Sequence, residues 1–205
     1  MTYRTKLVVT AAATFALALS VSAFAQSEKP VRIRGTITSV TADTLTVHRN
    51  SGDDAKIAIT PKTPVSAFKN MKLADIQKGS FIGTAATTGV DGKLTAREVV
   101  VFPEAMRGTG EGHYAWDLGN NSTMTNANVD SVLTGTDGRN LKLSYKGGTS
   151  DVVVPDNVPV VTPTKASSTD LVAGRNVVVT ATPAGAGAYT GLRVAVEKDG
   201  VSPPM

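Results

Sequence analysis

Apolar and polar residues alternate in VRIRGTITSV (31–40): Val31, Ile33 and Ile37 fall on one face, Arg32, Arg34, Thr36 and Thr38 on the other. A period of two marks a half-buried strand, because successive side chains leave a pleated backbone on opposite sides. Thr44 to Arg49 repeats the device with Leu45 and Val47 inward, and Ala55 to Thr60 with Ile57 and Ile59. Asn50-Ser51-Gly52-Asp53-Asp54 is turn chemistry, so the second and third strands form a hairpin. Pro61 and Pro64 interrupt the pattern, and Met71 to Ile76 then predicts one or two helical turns capped by Gly79. Two further strands, Ser80 to Thr88 and Leu94 to Phe102, meet at a turn over Asp91-Gly92.

The same order returns after residue 125. Asn126 to Leu133 is a weak strand, Asp137-Gly138 a turn, and Leu141 to Tyr145 a strand with Leu141, Leu143 and Tyr145 on one face. Asp151 to Val154 follows, Pro155 and Pro159 interrupt, and Ser167 to Val172 offers a helical turn capped by Gly174. Arg175 to Thr182 and Leu192 to Glu197 complete the set. Thr60-Pro61 matches Val154-Pro155, Asp75-Ile76 to Gly79 matches Asp170-Leu171 to Gly174, and Arg97 matches Arg193, at an offset of about 95 residues. The pattern predicts an all-β protein of two tandem small barrels. Each has about five strands and a helical turn, and curling into a barrel removes the sheet edges. The expected boundaries are 31–102 for the first domain, 103–125 for a connector and 126–200 for the second domain.

The opening residues change the picture of where the chain works. Arg4 and Lys6 precede an apolar run from Leu7 to Val21, and Ala23-Phe24-Ala25 supplies small residues at the positions a signal peptidase reads. The run is short for a membrane span, so 1–25 is predicted to be a cleaved signal peptide, the mature chain starting at Gln26. Without Arg4 and Lys6 the formal charge falls from +4 to +2. There is no Cys, which removes disulfides, thiolate metal sites and a Cys nucleophile together. Export without disulfides suits a periplasmic or secreted bacterial protein, with no membrane span after cleavage. Neither a Lys/Arg run nor stacking aromatics supports nucleic-acid binding, and aromatics are only 5% of the chain.

Asp75-Ile76-x-x-Gly79 leading into a strand, followed by Asp91-Gly92-Lys93-Leu94-Thr95-Ala96-Arg97, resembles the signature of a bacterial domain-of-unknown-function family. The resemblance implies small OB-like barrels in exported proteins and implies no activity. It covers 31–102 well and the second half loosely, where Pro183 to Tyr189 replaces the Asp-Gly turn. The central PEAMRGTGEGHY (103–114) resembles a segment of proteobacterial members.

That central stretch, Val101 to Asn126, holds the single Trp, one of two His and four Gly. Glu111, His113 and Asp117 form the best metal candidate, a carboxylate–imidazole set suited to a divalent ion such as zinc, manganese or nickel. The structural reading has Glu104 or Glu111 pairing with Arg107 while Tyr114 and Trp116 plug the joint between the halves. The Gly residues lack the Lys-Ser/Thr and helix start of a phosphate loop, and no Gly-x-Ser-x-Gly elbow is present. His48 is expected on the surface, and Arg32 and Arg34 on a solvated strand face. The expected role is a non-catalytic binding or interaction module of the cell envelope, its partner an envelope protein or small ligand. The alternative is a periplasmic metal-binding accessory protein.

Overall fold

The computed structural model describes residues 28–89, 92–135 and 138–204. The predicted signal peptide, and Asp91 and Asp137 of the two predicted Asp-Gly turns, lie outside the described residues. Among the described residues thirteen strands form one continuous sheet: β1 (Val31–Val40), β2 (Thr44–Arg49), β3 (Asp54–Ala58), β4 (Val65–Asn70), β5 (Phe81–Thr88), β6 (Leu94–Phe102), β7 (Gly112–Ala115), β8 (Ser122–Gly135), β9 (Gly138–Tyr145), β10 (Gly148–Val154), β11 (Val160–Lys165), β12 (Asn176–Pro183) and β13 (Ala188–Val196). The predicted helical turns are single 3-10 turns at Leu73–Asp75 and Ser168–Asp170. Asp75 and Asp170 accept the backbone N–H of Lys72 and Ser167, the local role their position implies. Among the described residues no helix is long and apolar enough to cross a membrane.

The ladders close into two five-strand rings. In the first barrel β1 pairs with β2 and β12, β2 with β3, and β13 bridges β12 and β3. In the second, β8 pairs with β5 and β9, β9 with β10, and β6 bridges β5 and β10. The expectation that 31–102 closes a barrel by itself is corrected here. β1–β3 close with β12 and β13 of the other half, while β5 and β6 close with β8–β10.

The exchange is carried by β4 and β11, strands hidden from the sequence reading by Pro61, Pro64, Pro155 and Pro159. Instead of turning back, each runs straight across the middle of the molecule. They pair antiparallel with Phe68 opposite Pro163, two residues that correspond at the offset of about 95. Flanking ladders obey the same relation: β13–β4 joins Val194 to Val65, and β6–β11 joins Val99 to Val160. A pseudo-twofold axis therefore passes at the Phe68–Pro163 pair.

Each barrel has its own core. Ile33, Ile37, Leu45, Val47, Ile57, Val179 and Val194 fill the first, with Leu171 as a plug from the 3-10 turn before β12. Ile82, Val99, Val129, Leu141, Leu143 and Val152 fill the second, with Ile76 as its plug. The alternation read from the sequence holds in β2 and β9, where Leu45, Val47, Leu141 and Leu143 are fully buried. Gly35 sits at an inward position because a Cβ there would meet the His48 carbonyl oxygen at 2.0 Å.

Candidate functional site

The stretch expected to be a connector is a hairpin. β7 pairs with the start of β8, Gly112 opposite Asn126 and Ala115 opposite Thr123, so the second half's first strand begins inside the predicted connector. The hairpin rises from the second barrel, and its tip reaches β1 of the first. Arg34 donates to both Asp117 oxygens, at 2.7 and 3.1 Å, and Arg32 approaches the same carboxylate at 3.4 Å. The Arg32 guanidinium also lies 3.6 Å from the Trp116 ring centroid, a cation–π stack, and Tyr114 tilts against Trp116 at 6.0 Å. Burial pushes the Asp117 carboxyl up, but the Arg34 hydrogen bond and the charges of Arg34 and Arg32 outweigh it and hold the carboxyl below the usual carboxylate range. Burial raises the Tyr114 phenol above its ordinary value against the opposing charge of Arg32.

The joint is thus bound by cations from the strand face expected to be solvated. Trp116 is half-buried and Tyr114 exposed, so they form a covered stack rather than a core plug. Glu104 and Arg107 do pair, through both carboxylate oxygens at 2.6 Å, and the hydrogen bond lowers the Glu104 pKa. Arg107 also donates to the Gly79 carbonyl and to Asn128, tying the segment after β6 to the second barrel.

The three metal candidates do not converge. Glu111 accepts the Lys146 backbone N–H at 3.0 Å. His113 bonds Thr125 at 2.8 Å and stacks on Tyr145, and Asp117 is held by the arginines. Among the described residues no group of three His, Cys, Asp or Glu is placed to hold a metal ion. His48 is on the surface as expected, 2.8 Å from Asp54.

Between the barrels, under the hairpin, lies a cleft of about 540 Å³. Its base is the axial pair Phe68 and Pro163, and Val100, Phe102, Met106 and Trp116 give it apolar surface. The first barrel contributes the outward row Arg32–Thr180–Arg193 and, from the next row, Val178 and Ala195. The second contributes Met124 and Glu98 from one row and Asn126–Gly83–Val100 from the next. Asn126 is only 7% exposed. Its Nδ2 donates to the Thr109 carbonyl at 3.0 Å, which fixes the amide orientation, and its Oδ1 is buried without a hydrogen-bond donor. The Trp116 Nε1 is likewise buried without an acceptor. The sequence reading placed Arg32 on a solvated strand face and gave Arg193, Glu98 and Asn126 no part in a site, because their convergence depends on strands from opposite halves meeting. A comparison with family models, curated proteins and solved structures gives no match for this chain.

Proposed function

We propose that this is an exported, non-catalytic binding protein of the bacterial cell envelope, built from two OB-like barrels, with its ligand site in the cleft between them. The carrying observation is a cleft of small-molecule size whose apolar walls hold two buried, unpartnered polar atoms, Asn126 Oδ1 and Trp116 Nε1. An unmet buried hydrogen-bonding group is costly, and a ligand supplying the partner recovers that cost on binding. The leader at 1–25 supports a periplasmic or secreted location, and the offset of about 95 residues supports descent by duplication. No observation favours the metal-accessory alternative, since its three side chains engage three different partners.

The test is extraction of the natively purified full-length protein and mass spectrometry of what is released, compared with Ala195→Phe, which fills the cleft. A small molecule present in the wild type and absent from the variant is the expected result. Identical extracts from two equally folded proteins would remove the cleft from consideration.

A further inference from the structure

Resting on the cleft reading above, we infer that the ligand is a small amphipathic anion: an apolar, ring-sized body with a hydrogen-bond donor at one side and an acidic group at the other. The argument comes from how the pseudo-twofold axis is broken. The axis relates Val178 to Gly83, Ala195 to Val100 and Arg193 to Glu98, and the matching ladders relate Arg32 to Met124 and Arg34 to Asn126. The backbone of the cleft is therefore nearly symmetric while its chemistry is opposed. One wall carries Arg32 and Arg193; the other carries the carboxylate of Glu98, 4% exposed, and the unpartnered Asn126 Oδ1.

A ligand acid belongs at the arginine wall, where Arg193 is exposed and donates through Nε to Thr180, the residue set between it and Arg32. Guanidinium groups recognise carboxylate, sulfonate or phosphate oxygens through charge-assisted bonds. An N–H or O–H belongs at the opposite wall, because Asn126 Oδ1 can only accept. The Trp116 Nε1–H can only donate, which suits the ligand's acceptor end. Phe68, Phe102 and Met106 leave the middle to an apolar body.

The 2,6 isomer of anilinonaphthalene sulfonate has this pattern: fused rings, an N–H at one end and an anionic group at the other. Phenylnaphthylamine has the rings and the N–H without the acid, and the N-methylated sulfonate lacks the donor. With full-length mature protein, energy transfer from Trp116, the only Trp, reports occupancy of the cleft. Saturable one-to-one binding of the sulfonate is expected, with each comparison compound about tenfold weaker. Arg193→Gln, a change on an exposed face, is expected to bring the sulfonate down to the neutral compound's affinity and leave that compound unaffected. Equal affinities for all three compounds, unaltered by Arg193→Gln but abolished by Ala195→Phe, would overturn the ligand class and leave the cleft as a binding site. Binding that ignores Ala195→Phe, or no binding of any compound, would overturn both.

Discussion

Arg34 and Asp117 tie the central hairpin to the first barrel, and their pairing carries a pH signature. The folded-state pKa of Asp117 is lowered, so its contribution is present above the ordinary carboxylate value and is lost as pH falls through the lowered one. Trp116 emission should therefore change on acidification below about pH 4, and Asp117→Asn should remove that step. An acid transition identical in Asp117→Asn would locate the titrating group elsewhere. Trp116 itself is half-buried under Arg32, so Trp116→Ala should cost about 1–2 kcal/mol, less than truncating a core aromatic. Gly35 is the opposite case, a small residue with a large effect. Its absent side chain leaves room for the His48 carbonyl, and Gly35→Ala should cost about 1–3 kcal/mol by denaturant unfolding.

At the scale of elements, the 3-10 turns are plugs. Ile76 follows β4 in sequence and enters the core formed with β8–β10, strands from beyond residue 121. Ile76→Ala should cost about 2–5 kcal/mol, the range for emptying a packed site. Its amide-exchange signature should appear across 122–154 more strongly than across 31–58. Equal loss in both segments would show that the two cores unfold as one unit. β4 and β11 have a different duty: they pair mainly with each other and carry the chain from one barrel to the other.

For the whole molecule, the exchange changes what half a chain can do. A fragment of 31–102 has β1–β3 without β12 and β13, and β5 and β6 without β8–β10. Two such fragments can supply each other's missing strands, with β4 pairing across a true twofold axis. The expected outcome is concentration-dependent folding: a β-type circular dichroism signal in a dimer by size-exclusion and light scattering, lost on dilution. A folded monomer would mean that the half can close on itself.

Apart from β4, β7 and β11, the strands and their inward faces were legible in sequence, because alternation is a local property; Gly79 and Gly174 do take positive φ, but in β-turns three residues beyond Ile76 and Leu171, which cap the 3-10 turns. The pairing of Glu104 with Arg107, three residues apart, was legible for the same reason. The partners of the strands were not. Two related halves present similar edges, so alternation cannot say whether β1 pairs with its own half's β5 or the other half's β12. That choice rests on β4 and β11 running straight where prolines suggested a break. The cleft follows from that choice, since its arginine wall joins β1 to β12 and β13, and its Asn126 wall joins β8 to β5 and β6. Only the tertiary structure brings Arg32, Asn126, Glu98 and Arg193 together, because ladders between distant segments decide which outward faces meet.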